Sequence, residues 1–355
     1  MVTFGKLKKE ELKISILKTK KKFNRDVERE VRIMIYCQNP TIIGFLRYSK
    51  IDLNNDNNVT IIMELADNGS LSKILKKIQS SNCPDDYNDT SRQIILVGIA
   101  RGMKYLHDRN IIHRDLKSDN ILLDKNFHPL ISDFGLSKFI GNGQSYSQSK
   151  FGCTLTYMAP EIIRGERYGN EVDVYSFGIW MFEIVTDSIP FPDLEKKKIS
   201  PYAFQQKILE ESYRPIFNAP INENLRKLIE KCWSNEPAKR LTFDEIYDQL
   251  SGETAKDYFL DNVDGDEFKI YVEDIAEIFD PSEILVDKIS KYKNEINFLR
   301  KQEEKIKNEN LSLKDKEAKM INEIKDLKKR EENMKNEIND LKRQEEKIKN
   351  ENLLL

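Results

Sequence analysis

The amino-acid sequence predicts a chain with both strand and helix, followed by a separate helical tail, and three observations carry that reading. Val59-Thr60-Ile61-Ile62 is a β-branched run of the kind that fills a pleated, half-buried surface. Phe177 to Val185 is an apolar stretch of helical character, too short to span a bilayer and interrupted by Glu183. From Ile284 to Leu355 there is no Gly, Pro or Trp, and Lys, Glu and Asn dominate. That is the composition of an exposed helix and not of a packed domain.

Residues 1–250 mix apolar runs with Gly, Pro and aromatics, and hold both tryptophans and every proline except Pro281. A folded domain is expected there. Residues 251–283 turn acidic: Asp257, Asp261, Asp264, Asp266, Glu267, Glu273, Asp274, Glu277, Asp280 and Glu283 face only Lys256 and Lys269. This reads as a linker or a loosely packed extension. Asp261-x-x-Asp264-Gly265-Asp266 and Asp52-x-Asn54-x-Asp56 lack the glycine and distal glutamate of a calcium loop, so calcium is not expected.

Residues 284–355 follow one heptad frame without interruption. Its d positions are Tyr292, Leu299, Ile306, Leu313, Met320, Leu327, Met334, Leu341, Ile348 and Leu355. Its a positions alternate Ile289, Ile296, Ile324 and Ile338 with Glu303, Asn310, Glu317, Glu331, Glu345 and Asn352. The segment from Asn294 to Leu313 returns 42 residues later, from Asn336 to Leu355, with four changes, and six whole heptads keep the face in register. Ile at a, Leu at d and Asn on the axis favour a parallel two-stranded coiled coil, a homodimer made weak by the polar a positions. The competing form is a solitary charged helix or a low-complexity tail.

The charges nearly cancel, with 58 Lys plus Arg against 60 Asp plus Glu and a net of −2. Neither nucleic acid nor a membrane surface is expected as a partner. Cys37, Cys83, Cys153 and Cys232 form no C-x-x-C pair, so four free thiols in a reducing compartment are expected, with neither zinc nor a disulfide framework. Met1 to Lys22 has no apolar core of a secretory signal, and a cytoplasmic protein is expected.

The chemistry lies in one ordered set of motifs. Ile111-Ile112-His113-Arg114-Asp115-Leu116-Lys117-Ser118-Asp119-Asn120 is followed, 18 residues after Asp115, by Asp133-Phe134-Gly135. Then come Tyr157-Met158-Ala159-Pro160-Glu161 and Asp173-Val174-Tyr175-Ser176-Phe177-Gly178. The set resembles the eukaryotic protein kinases. That resemblance implies a bilobal α+β fold, with a β-rich N-lobe remnant at residues 1–65 and a mainly helical C-lobe at 66–250. It also implies phosphoryl transfer from ATP, with Mg²⁺, to a protein substrate.

The motif residues suit that reaction, which needs positioning and charge neutralisation more than covalent chemistry. Asp115 is placed to accept or orient the proton of an attacking hydroxyl, and such assistance is worth ~10²–10⁴ in rate. Asn120 and Asp133 supply two oxygen ligands from different loops, as magnesium prefers. Lys117 can neutralise the migrating phosphoryl group, and with Thr154 it resembles the Ser/Thr-directed catalytic loop. Cys232-Trp233 and Pro237-x-x-Arg240 are similar to the tyrosine-kinase-like group.

The resemblance assigns further roles. Met63 matches the gatekeeper, the backbone of Glu64 and Ala66 faces adenine, and Leu122 forms the floor beneath the base. Glu161 and Arg240 match a buried ion pair, and Asp173 a brace for the catalytic loop. Arg114 implies a phosphorylated partner among Ser145, Ser147 and Ser149 of the hydroxyl-rich run 141–150, with Ser147 or Ser149 as the switch.

The N-terminal part departs from the pattern. Glu30 matches the helix glutamate that pairs with an ATP-contacting lysine, yet no Gly-x-Gly-x-x-Gly run precedes it. Phe4-Gly5-Lys6 lies too close to the next motif to end such a loop. One alignment offers Lys13 as the lysine, and another puts Ser15 there. Cys153 and Leu241 are milder departures. The expected function is therefore ATP-dependent Ser/Thr phosphorylation, with a catalytically impaired, pseudokinase-like scaffold dimerised by its coil as the alternative.

Overall fold

The computed structural model describes residues 14–20, 25–49, 58–140, 154–196, 198–210 and 213–276, with 302, 304, 313–314, 316–317, 319–338 and 342–343 in the tail. Lys13, the Asp52–Asp56 run, Ser145, Ser147, Ser149, Cys153 and most heptad positions lie outside the described residues. The chain divides into two units, Met1–Phe279 and Asp280–Leu355.

The first unit begins with a three-stranded antiparallel sheet in the order β1-β3-β2: β1 is Ile14–Lys20, β2 Phe45–Ser49 and β3 Val59–Glu64. The β-branched run lies in the central strand, where Val59, Thr60, Ile61 and Met63 are all buried. Helix α1 (Arg25–Tyr36) links β1 to β2 and turns Val27, Glu30, Val31 and Met34 inward at helical spacing. Glu30, 1 % exposed, is the charged member of that face.

A helical region follows. The strand β4 (Gly69–Ser70) leads into α2 (Leu71–Gln79) and the long α3 (Asp89–Asp108). Asn88 opens α3 with a reciprocal capping box to Ser91, which satisfies two of the backbone N–H groups otherwise unpaired at the helix start. Four short strands come next: β5 (Ile111–Ile112), β6 (Ile121–Leu123), β7 (Pro129–Ile131) and β8 (Lys138–Phe139). They form two ladders, β4-β6-β7 and β5-β8.

Beyond the short α4 (Pro160–Arg164), helix α5 (Glu171–Thr186) contains the apolar Phe177–Val185 stretch and is buried from Val172 to Phe182. It is the axis of the core. A β-carbon at Gly178 would come 2.8 Å from that of Cys232, so glycine here lets α5 approach α8 (Glu223–Cys232). Helices α6 (Pro192–Glu195), α7 (Pro201–Leu209) and α9 (Phe243–Ser251) complete the lobe.

The acidic stretch, expected to be a linker or a loosely packed extension, is packed along part of its length. Helix α10 (Gly265–Ala276) lies on α3 and buries Phe268, Tyr271 and Ile275. Their spacing is that of one helical face, while Asp266, Glu267, Glu273 and Asp274 stay in solvent. The high charge of the segment masks that stripe in the sequence. Polar ties reinforce the contact: Leu260 N donates to Gln93 Oε1 at 3.3 Å, Asp264 N to Thr90 Oγ1 at 2.8 Å, and Arg101 Nε to the Ile275 carbonyl at 3.2 Å. The Asp264 carboxylate accepts from the Asp266 and Glu267 amides and so caps α10.

In the second unit, residues 319–338 are continuously helical. Every described side chain in that run is exposed, including Met320, Ile324, Leu327, Met334 and Ile338. Among the described residues, no helix is long and apolar enough to cross a membrane.

Candidate active site

Residues 113–120 form a loop held from three sides. In the β5–β8 ladder Ile111 lies opposite Phe139 and Ile112 opposite Lys138. In the β6–β7 hairpin Ile121 faces Ile131. Just beyond that pair, Ser132 donates from both its amide and its hydroxyl to the Asn120 carbonyl, each at 2.8 Å. This tie sets Asn120 beside the residue that follows Ser132, which is Asp133.

The third support is Asp173 of α5, which is fully buried. Its carboxylate accepts from the amides of His113 at 2.8 Å and Arg114 at 2.7 Å, and lies 2.9 Å from His107 Nε2. Burial pushes the Asp173 carboxyl up, but the His107 hydrogen bond, the nearby histidine rings and the Arg114 amide prevail and hold it below the ordinary 3.8. The brace sits where the backbone is strained. Arg114 has φ 69° and Asp133 φ 63°, left-handed conformations that cost a side-chain-bearing residue about 1–3 kcal/mol.

His113 cross-links the same region. The Asp115 amide donates to its Nδ1 at 3.3 Å, which leaves Nε2 to donate to the Ser132 carbonyl at 3.1 Å. Both ring nitrogens thus have a partner. Phe134, fully buried, packs edge-on against this ring at 5.3 Å.

On the open side of the loop, four predicted residues meet. Lys117 Nζ lies 2.8 Å from Asp115 Oδ2 and donates to Thr154 Oγ1 at 2.8 Å. The Thr154 hydroxyl is 3.5 Å from the other Asp115 oxygen. Asn120 Nδ2 donates to the Asp115 carboxylate at 2.8 Å and to its carbonyl at 2.7 Å. A carboxylate fixed in this way can receive a proton, and the ammonium beside it can stabilise negative charge that develops nearby.

With Nδ2 turned to Asp115, Asn120 keeps its amide oxygen for another partner, and Asp133 adds a carboxylate on the adjoining segment. Among the described residues, no group of three or more His, Cys, Asp or Glu could hold a metal alone. A pair of hard oxygen donors suits a cation that takes its other ligands from phosphate and water, as Mg²⁺ does.

The remaining predicted positions border this loop. Arg29 of α1 donates to the Gly135 carbonyl at 3.3 Å and pairs with Asp26 at 2.9 Å, which seats α1, and with it Glu30, on the turn after Asp133. Met63 and Ala66 are buried at and beyond the end of β3. Glu64 is clamped there: its amide donates to the Gly44 carbonyl at 2.9 Å, and its carboxylate accepts from the Gly44 amide at 2.8 Å. Half-buried Leu122 faces Ser70 across one ladder and Leu130 across the other. Arg240 grips Glu161 with two buried hydrogen bonds, at 2.6 and 2.8 Å.

Sequence reasoning missed several supports. His107 reaches Asp173 from 66 residues away, and its own neighbourhood carries no signal of that pairing. Ser132 gives none either. Glu183 was legible, as a carboxylate interrupting the apolar part of α5. It accepts from the hydroxyls of Tyr157, at 2.9 Å, and Ser118. Burial pushes its carboxyl up, those hydroxyls oppose the shift, and Asp119 and Glu195 add to it.

Comparison with known proteins agrees with this geometry. A family model described as the protein kinase domain matches residues 8–250. The serine/threonine-protein kinase CTR1 of Arabidopsis thaliana is 36 % identical over 225 residues, 62 % of this chain and 26 % of that protein. A protein of Acanthamoeba polyphaga mimivirus named as a serine/threonine-protein kinase/receptor is 32 % identical over 251 residues, 68 % of this chain and 14 % of its own length. The seven transmembrane domain-containing tyrosine-protein kinase 1 of Dictyostelium discoideum is 36 % identical over 235 residues, 62 % of this chain and 31 % of that one. The chain therefore spans less than a third of the length of these relatives. With the motif set assembled around one loop and the family model covering most of the folded unit, the chain belongs to the protein kinase family.

Proposed function

We propose that this chain transfers the terminal phosphoryl group of ATP to serine or threonine hydroxyls of proteins, as a member of the tyrosine-kinase-like group. The observation that carries the reading is the closed set of Asp115, Lys117, Thr154 and Asn120 contacts. Asp115 orients the substrate hydroxyl and takes its proton. Lys117 stabilises charge on the transferring group. Thr154 holds Lys117 beside Asp115, and that pairing favours an aliphatic hydroxyl as acceptor. Asn120 and Asp133 would hold Mg²⁺, which supplies charge neutralisation at the phosphates. Met63, Glu64, Ala66 and Leu122 would frame the base.

Family membership implies ATP and a divalent metal in general, and leaves open which lysine meets the phosphates. In the register of β1, Ile16 lies opposite Met63 and Lys18 opposite Ile61. Lys13 is the candidate for that phosphate contact, and Lys13→Met is expected to lower phosphate incorporation.

The deciding measurement is phosphate incorporation from Mg-ATP by the wild type and by Asp115→Asn, with phosphoamino-acid analysis of the product. A fall of ~10²–10⁴ in the variant, and label on Ser or Thr, supports the reading. Nucleotide binding without incorporation in either chain supports the scaffold. Activation through Arg114 predicts that replacing Ser145, Ser147 and Ser149 together with alanine lowers activity; full activity in that variant removes the switch.

A further inference from the structure

We infer that the heptad tail pairs with a second copy of this chain in parallel and in register, and that the charged columns beside its seam choose that arrangement. The inference deepens the dimer expected from the heptads but is independent of whether the folded unit transfers phosphate.

The seam is visible on the helix at 319–338. Met320, Ile324, Leu327, Met334 and Ile338 recur at the a and d positions, and each is more than half exposed, from 51 to 62 %. An apolar stripe of that length on a solvated helix calls for a partner. Glu331 stands within it, between Leu327 and Met334, and is bridged to Lys335 of its own helix at 2.7 Å.

The flanking positions restrict who that partner is and how it lies. The column after each d residue holds Lys293, Arg300, Lys307, Lys314, Lys328, Lys335, Lys342 and Lys349, with Ile321 as the exception. The column before each a residue holds Glu295, Glu309, Glu323, Glu337 and Glu351, with Gln302 and Gln344, and with Lys288, Lys316 and Arg330. An antiparallel copy sets the first column against itself, cation against cation along its whole length. A parallel copy sets the second column against the first, five residues on. Glu295 then meets Arg300, Glu309 meets Lys314, Glu323 meets Lys328 and Glu337 meets Lys342, against the like pairs Lys288–Lys293 and Arg330–Lys335.

Register follows from the a positions. In register, Ile289, Ile296, Ile324 and Ile338 meet their own copies, as do Asn310 and Asn352. A slip of one heptad puts Ile296, Ile324 and Ile338 against glutamates and Glu309 against Ile321. A slip of 42 residues, which the internal repeat would permit, leaves most of the seam uncovered. The in-register arrangement has its own weakness, since Glu303, Glu317, Glu331 and Glu345 each face themselves, and Lys316 and Arg330 offset only the middle two. Such a dimer depends on its flanking ion pairs and loosens with salt.

Parallel pairing leads both folded units away from the same end of the coil. On the proposed function, each would then be offered to the other at high effective concentration, and phosphorylation between copies would be independent of dilution for as long as the dimer persists.

The test uses the full chain with exposed Cys83 replaced by serine, the parent running alongside. Sedimentation should give a dimer at micromolar concentration. Ile338→Cys, at an a position, should form a disulfide with its own copy in a glutathione redox buffer. Glu323→Lys with Glu337→Lys should weaken self-association at least tenfold. Mixing that chain with one carrying Lys328→Glu and Lys342→Glu should restore a dimer of the two. A monomer overturns the pairing; a dimer in which Ile338→Cys does not cross-link overturns the parallel register. Unchanged association in the Glu→Lys chain overturns the role of the charged columns. Loss of phosphate incorporation with the dimer intact counts against the proposed function and not against the pairing.

Discussion

Asp173 shows how much of the site depends on a carboxylate that never meets the substrate. It satisfies two amides at a strained turn and holds His107 as a third partner. Asp173→Ala leaves those amides buried and unpaired, at about 1–3 kcal/mol of stability, and activity should fall because the Arg114–Asp115 backbone relaxes. The carboxyl titrates below 3.8 in the folded chain, so on acidification the unfolded chain takes up the proton first. The stabilisation is complete above 3.8 and drains away as pH falls towards the lower folded value. Chemical denaturation across that range should show the acid-side slope in the wild type and lose its Asp173 component in Asp173→Asn. Arg240 is the other high-stakes position. Removing it strands a buried Glu161, and Arg240→Ala should cost about 3–5 kcal/mol in equilibrium unfolding. The meeting of Asp115, Lys117 and Asn120 was legible because the motif sets them at close, fixed spacing along one loop. His107 and Ser132 were not, because they act through partners 66 and 12 residues away and no local pattern marks them.

The elements were legible where one force dominates. Strand β3 is β-branched and central, and α5 is apolar on nearly every side because the core surrounds it. Helix α10 escaped notice because two forces compete in its sequence. Its acidic residues suggest a solvated linker, while Phe268, Tyr271 and Ile275 form a narrow stripe that becomes meaningful only once α3 is there to receive it. The receiving point is Gly98, where a β-carbon would collide with the Tyr271 hydroxyl and with the Pro129 ring. Gly98→Ala should therefore lift α10 while leaving α3 helical. Hydrogen exchange is the readout: faster exchange in residues 265–276, with protection of the α5 amides retained. Equal protection of α10 in both chains would show that the contact yields by repacking instead.

At the scale of the molecule, the folded unit reaches further than the family pattern does. The family model ends at residue 250, whereas packed structure continues to Ala276. Burying Phe268, Tyr271 and Ile275 is worth roughly 1.5–3 kcal/mol each before ordering costs. With ordering costs leaving a net of about 2.5 kcal/mol, a chain ending at residue 250 should melt below one ending at 279 by roughly 5–10 °C, at about 2–4 °C per kcal/mol for a domain of this size. Calorimetry of the two chains checks this, and equal midpoints would show that α10 adds nothing. The brace at Asp173 also has a consequence for the way activity disappears on heating. A loop resting on its own hydrogen bonds can melt while the core survives, and an enzyme built that way passes through a folded, silent state. Here the loop is fastened to the most buried helix of the molecule, so the machinery and the core share one cooperative transition. The loss of turnover on warming should superimpose on the melting curve, without an interval of intact but inactive protein between them.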